Sequence, residues 1–263
     1  MCIAAIAWQL FADKPLVLLS NRDELFARPT AALQHWRSGT VAGQDLRSGG
    51  TWLGVRQVTQ PSGQTDTRWA IVLNFRDAAQ TTPLNPTSRG QLVTEFLHST
   101  LAPLAFARGL ALADYDGFNL VLGTRKQAVM LNNRGYGIEV LPAGLYVLSN
   151  GQPNAPWFKC ERLRGRVRQE VLPLIAEQQN WQDAAWAVLH DDVCAPCDDL
   201  PKTGVKPVIE AALSSIFIPK ARATAVLGDA YGTRVSNILT LSPTGFEFAE
   251  RHTTDGSIRR ITG

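Results

Sequence analysis

The chain has 263 residues, of which 45% are hydrophobic and 19% are charged, and its formal net charge is +3. A chain of this length and composition can bury a sizeable core. The small net charge gives it no general attraction for nucleic acid. In its one basic cluster, residues 162–168, arginines recur every two residues and would spread around a helix, so we expect no nucleic-acid partner.

No apolar run approaches about 20 residues, so we predict no transmembrane segment. The first residues lack a basic segment, and Asp13 and Lys14 interrupt their apolar stretch, which argues against a secretory signal. We therefore expect a cytoplasmic protein without disulfides.

The pair Cys194-Ala-Pro-Cys197 has the spacing of a redox motif or of half a zinc site. His190 lies four residues earlier and is a candidate third ligand. The surrounding aspartates and Pro196 are typical of an exposed turn. We therefore predict two ordinary thiols here and no metal site.

The N-terminal segment predicts a β-hairpin. Residues 3–8 and 15–19 are apolar runs of strand length, separated by Ala12-Asp13-Lys14. Cys2 begins the first strand, and the tetrad Asn21-Arg22-Asp23-Glu24 follows the second. Antiparallel pairing brings the beginning of one strand beside the end of the other, so Cys2 should lie next to the tetrad.

Cys2 has two interpretations. If Met1 is removed, the Cys2 thiol and a free α-amine belong to one residue, and the amine, whose usual pKa is near neutrality, can take the thiol proton. Arg22 nearby would favour the thiolate and lower the thiol pKa. Alternatively, Cys2 is a structural residue, because free cysteines commonly pack as small hydrophobic side chains.

The remaining elements follow in chain order. Gly49 and Gly50 precede a strand and indicate positive φ or close backbone approach. We predict strands at 69–73, 118–122, 128–131, 137–141, 145–148, 215–218, 234–241 and 245–250, and helices at 89–99, 101–113, 156–176, 181–189 and 208–213. The four strands from 118 to 148 form a meander, which favours antiparallel pairing. No repeat or linker divides the chain, so we predict one α+β domain over residues 1–263.

Seven segments together resemble one known family. They are Met1-Cys2-Ile3, Ser20-Asn21-Arg22-Asp23-Glu24, Gly49-Gly50-Thr51-Trp52-Leu53-Gly54, Asn74-Phe75-Arg76, Leu148-Ser149-Asn150-Gly151, Ser214-Ser215-Ile216-Phe217-Ile218 and Tyr231-Gly232-Thr233-Arg234. They resemble the NRDE family, also called the transport and Golgi organization protein 2 family. That family in turn is similar to cysteine N-terminal-nucleophile hydrolases of the bile-salt hydrolase and penicillin V acylase kind. The resemblance implies an αββα fold, with two antiparallel sheets stacked between helix layers.

The resemblance also implies the site residues. It places the nucleophile on Cys2, oxyanion stabilisation on Asn74 and Asn150, and an orienting role on Arg234. Arg22 and Asp23 would position the reacting groups. The hydrolases carry their Arg and Asp three residues apart, whereas these two are adjacent and would face opposite sides of a regular strand. Asp23 and Glu24 therefore both remain candidates for the site carboxylate.

Two functions follow from the resemblance. The first is a hydrolase that cleaves a linear, non-peptide amide or a related acyl compound and needs no cofactor. The second is a non-catalytic protein that handles haem or an acyl lipid in the same pocket, as eukaryotic members of the family are thought to do. A bound haem would need an axial ligand, and the candidates are Cys2, His35, His98, His190 and His252.

Overall fold

The computed structural model describes residues 2–59, 63, 65–77, 83–153 and 155–263. Met1, and with it the expected removal of this residue, lies outside the described residues. Within the described ranges the chain forms two antiparallel β-sheets and a set of helices. No helix in these ranges is both long enough and apolar enough to cross a membrane.

The first sheet contains the N-terminal hairpin. Its strands are β1 (Cys2–Trp8), β2 (Leu16–Leu25), β10 (Gly144–Leu148), β11 (Tyr231–Leu241), β12 (Phe246–His252) and β13 (Ile258–Thr262). They are arranged in the order β10-β1-β2-β11-β12-β13. The predicted hairpin is confirmed, since β1 pairs antiparallel with β2 and Cys2 lies opposite Arg22.

The second sheet follows chain order. Its strands are β3 (Thr30–His35), β4 (Thr40–Asp45), β5 (Leu53–Thr59), β6 (Thr65–Asn74), β7 (Phe118–Gly123), β8 (Ala128–Asn132) and β9 (Gly137–Val140). The predicted meander is confirmed for β7, β8 and β9. The fourth strand of that prediction, β10, instead crosses into the first sheet and pairs with β1.

Helices cover the outer face of each sheet. They are α1 (Arg89–His98), α2 (Pro103–Arg108), α3 (Phe158–Arg166), α4 (Leu172–Ala176), α5 (Gln182–Leu189), α6 (Pro207–Ala212) and α7 (Lys220–Leu227). A π-helical turn, Val167–Val171, joins α3 to α4. Buried side chains of α1 and α2 pack on the second sheet, and those of α3, α4 and α5 pack on the first.

Alternating side chains of β1 show how the layers are built. Ala4, Ile6 and Trp8 pack between the two sheets, whereas Ile3 and Ala5 pack under the helices. This period of two is that of a strand buried on both faces. The α+β architecture, with two antiparallel sheets between helix layers, is therefore confirmed.

Two predicted elements are wrong. Residues 215–218 form no strand, because side chains bind their carbonyl groups in place of a neighbouring strand: Asn21 Nδ2 donates to Ile216 O and Arg222 Nη2 to Phe217 O. The helix predicted over 101–113 ends at Arg108, where Gly109 follows. Glycine is unfavourable in a helix interior, by about 1 kcal/mol relative to alanine.

Asn21, the first residue of the tetrad, ties the first sheet to the segments outside it. Its Nδ2 donates to Leu189 O at 2.7 Å and to Ile216 O at 2.9 Å. Its Oδ1 accepts a hydrogen bond from Ser236 Oγ at 2.6 Å. Asn21 is 1% exposed, so these bonds satisfy a fully buried amide. Its role is structural, and it fixes the end of β2 on which the next tetrad residues stand.

Candidate active site

A cavity of about 460 Å³ opens beside Cys2. Apolar surface comes from Trp52, Val72 and Pro86. Charged residues of both signs also line it: Arg22, Asp23, Glu24, Arg28, Asp45, Arg47, Arg89 and Asp116. The cavity therefore combines an apolar wall with mixed charge, which suits a ligand that has both apolar and polar parts.

Two glycines bring the N-terminal end of α1 against this cavity. Gly49 has φ +77°, and a Cβ atom on Gly50 would lie 2.7 Å from the carbonyl carbon of Gly90. Only glycine permits such an approach of two backbones. The roles predicted for the Gly49-Gly50 pair, positive φ and close approach, are both confirmed.

Polar bonds fix the backbone of Cys2 on both sides. Its N–H donates to Asn150 Oδ1 at 3.2 Å, and its carbonyl oxygen accepts from Ser149 Oγ at 2.7 Å. Ser149 and Asn150 directly follow β10, which pairs with β1. The structure thus brings Cys2 and Asn150, which are 148 residues apart, into contact.

Asn150 and Asn74 have different positions in this site. Asn150 is 1% exposed, and its Nδ2 donates to the backbone oxygen of Asn74 at 2.7 Å. The amide nitrogen of Asn150 is thereby engaged, while its oxygen holds Cys2. Asn74 is exposed and lines the cavity. Of the two, Asn74 is the amide placed to face a ligand.

Arg22 lies on the Cys2 side of the first sheet. Its guanidinium packs 4.3 Å from the Trp52 ring centroid, and its Nη2 lies 3.5 Å from Asp45 Oδ2. Burial raises the pKa of the Cys2 thiol, and the charge of Arg22 lowers it by less. Arg22 thus acts in the predicted direction, but the expectation of a lowered thiol pKa is wrong because burial of the thiol dominates.

Asp23 directly follows Arg22 on β2. As predicted from the alternation of side chains along a strand, it lies on the opposite, helix-facing side. It is 4% exposed, and its Oδ1 accepts a hydrogen bond from Thr233 Oγ1 at 2.6 Å. Burial raises the pKa of Asp23 to about 6. Its charge acts on Cys2, raising the pKa of the thiol. Of the two candidate carboxylates, Asp23 is therefore the one coupled to Cys2.

Glu24 belongs to a separate ion-pair network. Its Oε2 lies 3.8 Å from Arg22 Nη2 and 3.7 Å from Arg28 Nε. Arg28 also binds Asp45, with 2.6 Å between Nε and Oδ2. This network fixes the loop between β2 and β3 at the rim of the cavity.

Arg234 supports the site from outside the cavity lining. Its Nη1 donates to Leu25 O at 3.3 Å, to Thr30 Oγ1 at 3.2 Å and to Arg28 O. It stands at an irregularity of β11 between Thr233 and Val235, where the register against β2 shifts. Its placement fits an orienting role on the loop after β2 and gives it no direct contact with a ligand in the cavity.

Sequence reasoning missed one buried charge beside the site, Lys159. This residue is 2% exposed near the start of α3, and its charge interacts with those of Asp23 and Cys2. Nothing in the local sequence sets this lysine apart, because its burial depends on how α3 docks on the first sheet. Asp45 and Trp52, which hold Arg22, were likewise not singled out as its partners.

The histidines and the cysteine pair lie elsewhere. Among the described residues, no histidine lines the cavity, and His98 and His252 contact Thr40 and Glu250. Cys194 is partly buried and Cys197 exposed in the loop after α5. Across the described ranges, no three His, Cys, Asp or Glu side chains are grouped to hold a metal ion.

The raised pKa of Asp23 predicts a pH-dependent stability. At about pH 4 the folded chain holds this carboxyl neutral, whereas above pH 6 it must carry a buried charge. The difference between the ordinary pKa of 3.8 and about 6 corresponds to about 3 kcal/mol. The stability of the wild type relative to Asp23→Asn should therefore fall by up to this amount as pH rises from 4 to 7. Urea unfolding of both proteins across this range measures it, and a constant difference would contradict the assignment.

Comparison with known proteins identifies the family. The family model described as Transport and Golgi organisation 2 matches residues 1–255. The chain is 30% identical over 258 residues to the Transport and Golgi organization protein 2 homolog of Bos taurus, covering 90% of this chain and 86% of the relative. It is 30% identical over 262 residues to the homolog of Homo sapiens, covering 91% of this chain and 87% of the relative. The chain belongs to the Transport and Golgi organisation 2 family.

Proposed function

We propose that this protein is an N-terminal-nucleophile hydrolase that cleaves a linear, non-peptide amide or a related acyl compound. Cys2 would be its nucleophile after removal of Met1. The observation that carries the proposal is the placement of Cys2: its side chain lines the cavity while its backbone nitrogen is bound by Asn150 Oδ1. Once Met1 is gone, that nitrogen is the α-amine, and the same bond would orient it.

Because the pKa of the Cys2 thiol is raised, the proposed reaction needs the α-amine as a base. A neutral thiol is a poor nucleophile, so its proton must leave during attack. The α-amine of the same residue is close enough to accept this proton and becomes an ammonium group. Asp23, whose charge acts on Cys2, would stabilise that positive charge. Cys2 and Asp23 together would thus supply nucleophile, base and counter-charge.

The reaction would proceed through an acyl-enzyme. Sγ bonds to the substrate carbonyl carbon, and the carbonyl oxygen becomes an oxyanion. The intermediate then expels the leaving amine, which takes the proton from the ammonium group, and a thioester remains on Cys2. Water cleaves the thioester, so the free acid leaves and the thiol is restored. The Asn74 side chain, facing the cavity, is the amide that we assign to the oxyanion.

The cytoplasm is the compartment that we propose. The mechanism needs a reduced Cys2, and reducing compartments keep thiols in that form.

Binding of haem or an acyl lipid in the same cavity is the alternative. Among the described lining residues, Cys2 is the one suited to ligate haem iron, and burial disfavours the thiolate that such ligation needs. The geometry at Cys2 therefore supports hydrolysis better.

Replacing the nucleophile should abolish acyl transfer. With straight-chain acyl p-nitroanilides as a substrate panel, we expect Cys2→Ala to lose turnover completely, because Cys2 is the only cysteine among the described residues that line the cavity. Cys197→Ser, at an exposed cysteine away from the cavity, should keep wild-type rates. Release of p-nitroaniline measures both, and turnover by Cys2→Ala would refute the proposal.

Removing the proposed oxyanion donor should slow chemistry without unfolding the protein. We expect Asn74→Ala to lower kcat by about 100- to 1,000-fold, the usual effect of losing one such donor. KM and thermal stability should change little, since Asn74 is exposed and its backbone oxygen, which binds Asn150, remains. A kcat within threefold of the wild type would assign the oxyanion to another donor.

A further inference from the structure

Lys159 is an unusual residue for its position. It lies under the first sheet with 2% of its surface exposed, and its Nζ has no hydrogen-bond partner within the described ranges. Lysine is seldom fully buried without a partner, because transferring an ammonium group out of water is costly. A nearby counter-charge must therefore offset this cost.

The charges around Lys159 leave Asp23 as that counter-charge. Burial lowers the pKa of Lys159, and the charge of Asp23 is the largest influence that opposes it. Arg76 and Glu210 line a small cavity together with Lys159, but they pair with each other. The titratable or charged groups that act on Lys159 and Asp23 from the neighbouring elements are the N-terminal amine, Cys2, Arg22, Arg76, Cys160 and Glu210.

Asp23 in turn depends on positive charge to remain ionised. Its surroundings are buried, and the hydrogen bond that it accepts from Thr233 comes from a neutral hydroxyl group. Three positive charges lower the pKa of Asp23: that of the N-terminal amine has the largest influence, that of Lys159 the next and that of Arg22 the smallest. Arg22 faces the other side of the strand, where it is already close to Asp45 and Glu24.

We propose that Lys159 is a positioning residue for the Cys2 reaction, which holds Asp23 ionised so that the carboxylate can bind the Cys2 ammonium group. This role rests on the proposed function. Lys159 keeps its proton throughout, and the only proton that moves in the step is that of the thiol, which passes to the α-amine. The net charge of Lys159, Asp23, the Cys2 thiol and the α-amine taken together does not change during this transfer.

Titration of the Asp23 carboxyl carbon by NMR tests the coupling. The Asp23 signal is assigned by its loss in Asp23→Asn. In Lys159→Met, which keeps the length of the side chain but removes its charge, we expect the midpoint to rise by about one unit or more. Lys159→Arg should retain a midpoint near that of the wild type. Lys126→Met is the matched control. Lys126 is exposed and lies just after the end of β7 that is away from Asn74, so this variant should leave the Asp23 midpoint unchanged. An unchanged midpoint in folded Lys159→Met overturns the proposal.

A second titration covers the case in which Lys159→Met does not fold. The ε-carbon signal of Lys159 is followed against pH in the wild type and in Asp23→Asn, whose neutral side chain keeps the shape of the carboxyl group. We expect the Lys159 midpoint to fall in Asp23→Asn, because its counter-charge is gone. An unchanged midpoint would show that the two groups are not coupled and would overturn the proposal.

These titrations separate this proposal from the function on which it rests. They require no substrate, so an unchanged Asp23 midpoint in a protein that turns over acyl amides overturns the role of Lys159 alone. Where turnover exists, the acid limb of kcat/KM should move upward with the Asp23 midpoint in Lys159→Met. A shifted midpoint in a protein that lacks Cys2-dependent turnover would overturn the hydrolase function, and with it a role for Lys159 in catalysis.

Discussion

The site depends on the way in which three distant segments hold Cys2. Pairing with β2 places it opposite Arg22, pairing of β1 with β10 brings Ser149 and Asn150 to its backbone, and Asn150 is in turn bound to Asn74 at the end of β6. The last contact joins the two sheets at one end. The cavity opens at this junction, so the hydrogen bonds that hold the sheets together there also fix the geometry of the thiol.

Burial and charge act against each other at this point. Burial raises the pKa values of both the Cys2 thiol and the Asp23 carboxyl. The surroundings therefore do not activate the thiol, and in the proposed mechanism the α-amine acts as its base. Neighbouring positive charges lower the pKa of the carboxyl, and the buried Lys159, in an otherwise apolar helix–sheet interface, is one of them. One physical cause, removal of water from the end of β2, thus accounts for the raised pKa values of both the thiol and the carboxyl.

Much of this arrangement follows from local sequence patterns. The apolar runs around residues 3–8 and 15–19 predicted the hairpin, and the hairpin alone placed Cys2 beside Arg22. The period of two also predicted that Arg22 and Asp23 face opposite sides. What the sequence could not supply is the choice between Asp23 and Glu24. That choice depends on Lys159 and Thr233, which reach the site only through tertiary packing.

The missed elements have a similar cause. β3 and β13 have mostly partly buried or exposed residues, so neither shows a clear apolar face. α7 buries only Ala223 among its residues, which gives it little helical periodicity to recognise. The segment around Ile216 reads as a strand because it is apolar, but the amide of Asn21 on β2 occupies its backbone oxygen. These features are decided by neighbours far away in the chain.

The intact mass of the protein, produced without an N-terminal tag, shows whether Cys2 carries a free α-amine. We expect Met1 to be absent, so that the nitrogen held by Asn150 is a free amine on the same residue as the thiol. A mass that retains Met1 would contradict it, because the α-amine would then belong to the wrong residue. Cys2 would lose its proposed base, and binding of a ligand in the cavity would become the leading account.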